Sequence, residues 1–284
     1  MELWLNLAAV DTGDLLDIAV AAEESGYTGL AVADHLVHPG TLGSRYPYSA
    51  TGDVVWKPSS HWPDAWVAIA AMAAVTTRLR FTTAVYVAPL RDPVALAKSI
   101  STAAVISRGR VGCGFGSGWM REEFDVVGQD FADRGKRLDE IIEVLRALWS
   151  GGMVDYHGAY YSFDPVQMSP APPGPIPVWL GGNTARAMRR AVRHDGWIGS
   201  YTSLEETIDD LDQVRALRLE SGRDGAFHVS VTGPALDVAA CAALAEVGVD
   251  SAIVSLRRLA RSRALPDITA AIHAFADEAQ AVLA

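Results

Sequence analysis

The sequence predicts a (β/α)₈ barrel, and three observations carry that prediction. Eight short apolar runs recur along the 284 residues, each followed by a helical pattern. The runs mostly lack polar alternation, as strands buried on both faces of a parallel sheet do. The first run leads into Ala8-Ala9-Val10-Asp11-Thr12-Gly13, without the glycine-rich turn that a doubly wound nucleotide-binding sheet, the runner-up architecture, places there. No domain boundary, low-complexity segment or repeat beyond the βα alternation interrupts residues 1–284, so one domain is expected.

Strands are predicted at Leu3–Ala9, Gly29–Asp34, Leu79–Val87, Arg110–Gly116, Pro177–Gly182, Trp197–Tyr201, Phe227–Gly233 and Ala252–Leu256. The helical patterns between and after them span Asp14–Ser25, Asp64–Thr76, Pro93–Ser107, Arg137–Trp149, Ala185–His194, Leu204–Glu220, Asp237–Val247 and Pro266–Leu283. Their starts carry chemical signals. Asp92-Pro93 puts proline in a first turn, where its missing N–H is harmless, and Ser203 precedes the acidic pair Glu205 and Glu206. Two interruptions stand out. Leu36–Pro63 follows the second strand and carries Tyr46, Tyr48, Trp56 and Trp62, the composition of a lid or pocket wall. Gly151–Pro175 separates the fourth helix from the fifth strand and reads as a hairpin about His157-Gly158, a structural insertion.

Half the chain is apolar, ample for a large core, and the net charge is −10. That acidity argues against nucleic acid or an anionic membrane as partner. No run has the length of a membrane span, and no charged leader precedes an apolar stretch, so a cytoplasmic protein is expected. Cys113 and Cys241 sit far apart in apolar surroundings and read as buried thiols, not a disulfide.

In such a barrel the chemistry sits at the C-terminal ends of the strands. The stretch Arg108–Phe124 has glycine at 112, 114, 116 and 118, removing every second side chain from a buried strand. Either a flat ligand approaches that backbone or a neighbouring element packs into it. Gly181-Gly182-Asn183-Thr184 opens a helix at Ala185, which suits a phosphate, with Arg186 as a supplement, or is an ordinary helix cap. Asp34-His35 is the one acidic–imidazole pair at a strand end, a candidate proton shuttle. His38 adds no third metal ligand at sensible spacing, so no metal is expected. Phosphate-loop, zinc-protease and nucleophile-elbow motifs are absent from the sequence. A glycine-lined cleft, a phosphate-grade helix end and one proton shuttle suit a bulky, planar, phosphorylated redox cofactor.

Asp34-His35, Arg91-Asp92-Pro93, Gly109-Arg110-Val111, Gly114 to Trp119, Glu123-Phe124, Arg134-Gly135-Lys136-Arg137, Gly181-Gly182 and Asp195-Gly196-Trp197 form an ordered series. In that order and spacing the chain resembles the luciferase-like monooxygenase superfamily, and within it the branch that uses the deazaflavin coenzyme F420. The resemblance implies a barrel of the bacterial-luciferase type, a homodimer, and F420 (alternatively FMN) at the C-terminal mouth. By matching positions it implies that Asp34 and His35 border the redox ring, with His35 the catalytic proton donor or acceptor. It implies a non-prolyl cis peptide at Ala84-Val85 behind the ring. Gly116, Ser117, Gly118 and Glu122, with Gly181, Gly182 and Asn183, match segments that hold the ribityl chain and phosphate.

The departures from the family pattern concern the substrate. Ser200 and Ser203 stand where sugar-phosphate dehydrogenases of the family hold a phosphate-binding lysine, and Trp119 replaces an active-site Glu. With Trp62, Tyr86, Trp119, Ser200 and Tyr201 available, the expected substrate pocket is apolar and aromatic. The resulting expectation is hydride transfer between F420 and an apolar carbonyl, enone or imine. The alternatives are an FMN-dependent monooxygenase using O₂ and a non-catalytic flavin- or deazaflavin-binding protein.

Overall fold

A computed structural model describes residues 1–49, 51–260 and 262–283. The strands are β1 (Glu2–Asn6), β2 (Gly29–Val32), β3 (Arg80–Thr83), β4 (Tyr86–Val87), β5 (Cys113–Gly116), β6 (Met153–His157), β7 (Ser162–Gln167), β8 (Val178–Gly181), β9 (Gly196–Ser200), β10 (His228–Gly233) and β11 (Ser251–Ser255). Nine of them form one sheet in the order β3-β2-β1-β11-β10-β9-β8-β5-β4, and β6 and β7 form a separate antiparallel hairpin. The paired strands of the large sheet are all parallel. β3 and β4 share one position in the ring. β4 pairs with β5, and a bridge from Phe81 to Val111 brings β3 to the same neighbour, so the sheet curls into a nearly closed barrel.

Around it run α1 (Leu15–Glu24), α2 (Ala65–Ala74), α3 (Pro93–Ile106), α4 (Arg121–Val126), α5 (Arg134–Leu148), α6 (Ala185–Ala191), α7 (Leu204–Glu220), α8 (Val238–Glu246), α9 (Leu256–Leu259) and α10 (Leu265–Leu283). The helix starts are capped as the sequence signals. Asp64 accepts from the Trp66 and Val67 amides, Asp92 from Ala95 at 2.8 Å and Ser203 from Glu206 at 3.2 Å.

The third predicted strand, Leu79–Val87, breaks into β3 and β4 at the Ala84-Val85 peptide, which is cis. The fourth predicted strand is trimmed at its start to Cys113, and the helix predicted from Arg137 begins one turn earlier, at Arg134. α4, which opens at the acidic pair Glu122–Glu123, and α9 are too short to show a period in the sequence.

Two cores result. A small one fills the barrel: Trp4, Ala31, Trp179, Ile198 and Ile253, with Ala84 and Val85 packed on it. The larger lies between barrel and helices and includes Phe81, Tyr86, Phe115 and Trp197. The glycine alternation is explained here by packing. A Cβ on Gly114 would collide with the Thr83 carbonyl and the Ile198 side chain, so this glycine lets β5 approach β3. Cys113 and Cys241 are both buried and free. Among the described residues no helix is long and apolar enough to cross a membrane.

The hairpin is fastened to α5 by Glu140, whose carboxylate accepts from the Tyr160 and Tyr161 amides at 2.9 and 2.7 Å. Beyond the end of α6, half-buried His194 lies within the electrostatic reach of Arg146 and Arg193. Burial and these two cations lower its pKa from 6.5 to about 4. The unfolded chain therefore binds a proton between those values that the folded chain refuses. The stability held by neutral His194 is complete above pH 6.5 and is lost as pH falls toward 4. Stability should fall by about 2 kcal/mol between pH 7 and pH 5 through this group. Urea unfolding of the wild type and His194→Leu at the two pH values checks this: the variant should lose that part of the pH dependence.

Candidate active site at the barrel mouth

His35 lies just beyond the end of β2, with about a tenth of its side chain exposed. Its Nδ1 is 3.1 Å from Oε2 of Glu123, a side chain only 2% exposed. The other carboxylate oxygen of Glu123 accepts from the Leu36 amide at 2.6 Å and the Val37 amide at 3.4 Å. A carboxylate acceptor at this distance fixes the tautomer, with the proton on Nδ1 and Nε2 left free. Glu123 thus holds both the imidazole and the backbone leading out of it.

Aromatic rings from the long loop enclose this histidine. Trp56 and Trp62 lie 4.7 and 4.8 Å from it, centroid to centroid, and Trp119 from the β5–α4 turn lies at 5.8 Å. Tyr46 packs on both Trp56 and Trp119, each at 5.2 Å. Burial pushes its phenol up to about 12, so it stays neutral. The loop is pinned at a second point. Glu122 accepts from the Gly43 and Ser44 amides at 2.7 and 2.9 Å, and Ser44 Oγ accepts from the Arg121 amide. Burial acts to raise the Glu122 pKa, but these hydrogen bonds outweigh it and hold it below the ordinary value.

The mouth itself is floored by Ala84 and Val85. Gly116 and Gly181 flank this pair from β5 and β8. A Cβ on either would stand 2.6 or 2.5 Å from a Val85 methyl. Gly118 takes φ +86, turning the chain sharply under Phe124 before half-buried Trp119. Ser117 is half-buried in the same turn. Ser200 ends β9 beside the Tyr48 phenol of the long loop.

Several expected site residues are engaged elsewhere. Asp34 does not touch His35. Its carboxylate, 1% exposed, receives both terminal nitrogens of Arg91 at 2.7 and 2.6 Å and the Val87 amide at 2.9 Å. Burial raises its pKa and the guanidinium opposes the rise. Successive residues leaving a strand diverge, which separates the pair. Tyr86 does not line the mouth either. It is 2% exposed in the outer core, between Trp66 and Phe115, with Arg91 stacked over its ring at 4.3 Å. Tyr201 likewise packs against that outer core. Glu122 braces the long loop. Asn183 brackets the end of β9, donating to the Ser200 carbonyl and Asp210 and accepting from the Ser200 amide at 2.8 Å. Its side chain is therefore not free for a phosphate.

Glu123 is the residue that sequence reasoning did not place in the site; Trp56 and Tyr46, read from the sequence only as wall aromatics of the long loop, are brought against His35 and Trp119. The acidic pair 122–123 was visible, but which member turns inward depends on the phase of a six-residue helix.

The family model described as luciferase-like monooxygenase matches residues 4–274 of this chain. The chain belongs to that family. An uncharacterized protein of Mycobacterium tuberculosis is 35% identical over 251 residues, 88% of this chain and 87% of that protein. An F420-dependent glucose-6-phosphate dehydrogenase of Amycolatopsis mediterranei is 29% identical over 235 residues, 74% of this chain and 66% of that enzyme. Among solved structures, the monooxygenase RslO1 from Streptomyces bottropensis superposes with a TM-score of 0.81 at 18% identity, covering 100% of both chains. The last comparison speaks to the fold alone. In this luciferase-like chain, then, the mouth of the barrel is roofed by an aromatic loop and the His35 imidazole is clamped by a buried carboxylate.

Proposed function

We propose that the protein is a coenzyme F420-dependent oxidoreductase moving a hydride between the deazaflavin and an apolar carbonyl, enone or imine. The observation that carries this reading is His35, oriented by Glu123 and walled by Trp56, Trp62 and Trp119. The residues present fit a flat heteroaromatic group. Ala84 and Val85 offer an apolar floor with no side chain on Gly116 or Gly181 beside it. The indole nitrogen of Trp62 is buried without a partner among the described residues, a donor for a ring or substrate carbonyl. The backbone of Gly116–Gly118 and Gly181–Gly182 is the part of the mouth left for the ribityl chain and phosphate.

When bound, the deazaflavin supplies a carbon that gives or takes a hydride. The protein's own part is positioning and proton handling. His35 Nε2 exchanges the proton that accompanies reduction or oxidation of the substrate heteroatom, while Glu123 stabilises the imidazolium through Nδ1–H. The tryptophans exclude water and favour an apolar substrate over a sugar phosphate. The relative from Amycolatopsis mediterranei supports F420 as cofactor, and Trp119 together with Ser200 supports a different substrate.

A fluorescence titration with F420 and with FMN, run side by side, tests the reading. Saturable binding of F420 and a substrate-dependent absorbance change in its presence are expected. Tight FMN binding without response to F420, or turnover that requires O₂, overturns it.

A further inference from the structure

The imidazole that the proposed chemistry needs is covered from the loop side. The Trp56 ring lies over His35 at 4.7 Å, tilted by only 35°, while Trp62 and Trp119 meet it edge-on. Glu123 holds Nδ1. Trp56 is itself buried. By contrast Ala84 and Val85, the floor proposed for the cofactor ring, are only half-buried, as are Gly181 and Gly182 beside them. The floor is thus partly open, and the seat next to the imidazole is filled by the protein's own indole.

The backbone that carries Trp56 is held differently from the rest of the loop. The loop is tied to the barrel at Gly43 and Ser44, through Glu122, and at His61, whose Nδ1 accepts from the Thr12 amide at 3.0 Å. Between these anchors it bonds mainly to itself, in two turns. The Tyr46 amide donates to the Gly52 carbonyl at 2.7 Å, and the Ser60 amide to the Lys57 carbonyl at 2.9 Å. Val54, Val55 and Trp56 join the two turns and make no backbone hydrogen bond among the described residues. Trp56 is kept in place by ring packing, so it can leave without breaking a hydrogen bond of its own. Trp62 points the same way. Its Nε1 is buried without a partner among the described residues, and its ring packs on Trp56 at 5.2 Å. An indole has a donor and no acceptor, so Trp56 cannot complete that bond. A carbonyl oxygen in its place does.

We infer that Trp56 is a stand-in for the substrate: it plugs the seat beside His35 until a flat, conjugated ketone or enone of about indole size displaces it. This rests on the reading of His35 as the proton carrier and narrows the substrate class proposed for that site. The plug makes the binding-competent form a minor one, which weakens substrate binding and limits its rate. Methyl naphthyl ketone is the probe, followed by quenching of tryptophan emission in stopped flow, with F420 bound and without it. In the wild type the observed rate should level off with probe concentration, at the rate at which the plug opens. Trp56→Ala should bind at least about tenfold tighter, because the cost of opening is gone, and its rate should rise linearly. Trp62→Ala keeps the plug but loses the donor, and should bind more weakly than the wild type. Methyl decyl ketone, of equal carbon count but not flat, should also bind the wild type more weakly. Weaker or unchanged binding in Trp56→Ala overturns the inference, since a wall or a bystander has then been removed. So does a linear rate in the wild type, a test that holds even if Trp56→Ala fails to fold. Unchanged affinity in Trp62→Ala, equal affinity for the two ketones, or no quenching in any variant overturns it as well. Because the probe is read without cofactor too, these outcomes stand whether or not F420 binds.

Discussion

Replacing His35 by Ala is expected to lower turnover roughly 10²–10⁴-fold, the range for losing a positioned general acid or base. Binding of F420 should survive, because the Ala84–Val85 floor and the glycine-lined strand ends do not involve the imidazole. Glu123→Gln separates orientation from proton transfer. The amide oxygen still accepts from Leu36, but the negative charge that steadies a protonated ring is gone. Its turnover should lie between the wild type and His35→Ala. In a double-mutant cycle its effect should largely vanish when His35 is already Ala, since it acts through that ring. Steady-state rates and cofactor titrations on the three variants decide the matter. Unchanged turnover in His35→Ala removes the proton role altogether.

Asp34→Ala is expected to cost about 3–5 kcal/mol of stability, the usual penalty for removing one partner of a buried ion pair. The carboxylate is 1% exposed, and its loss strands Arg91, itself only 15% exposed, together with the Val87 amide. Arg91 is also stacked on Tyr86 and bonded to the Val87 carbonyl, so it cannot swing out to water without disrupting β4. The urea midpoint should drop accordingly. Asp34→Leu combined with Arg91→Met should recover part of the loss, because no charge is then left buried. A midpoint for Asp34→Ala close to that of the wild type would mean that the pair contributes nothing to the β2–β4 junction.

The strand–helix alternation was legible because buried parallel strands read as short apolar runs and because the caps at Asp64, Asp92 and Ser203 use side chains with a single local job. His35 and Trp119 were legible too, since both stand at strand ends and strand ends form the mouth. What failed was direction. Asp34 and Tyr86 sit at the right depth in the barrel but are taken up by Arg91 and by the outer core, and one residue of register reverses a strand's faces. The break between β3 and β4 reverses the parity that a continuous Leu79–Val87 strand would have had. Glu123 escaped because its partner lies 88 residues away, and no local spacing encodes such a contact. The loop aromatics were marked as a wall, but which rings meet His35 is settled by how 28 residues fold over the mouth, which periodicity does not reach.

Val85 and its two glycine neighbours have a bearing on how this pocket can change over generations. Gly116 and Gly181 belong to separate strands, yet each is barred from acquiring a side chain by one methyl of the same residue, Cγ2 of Val85 for Gly116 and Cγ1 for Gly181. A lineage that first exchanges Val85 for alanine releases both positions at once. A lineage that first mutates either glycine meets a clash and gains nothing. The order of substitution is therefore constrained, and single-site variation at 116 or 181 will look forbidden until 85 is varied with it. Libraries meant to reshape the floor of the mouth should randomise these three positions jointly.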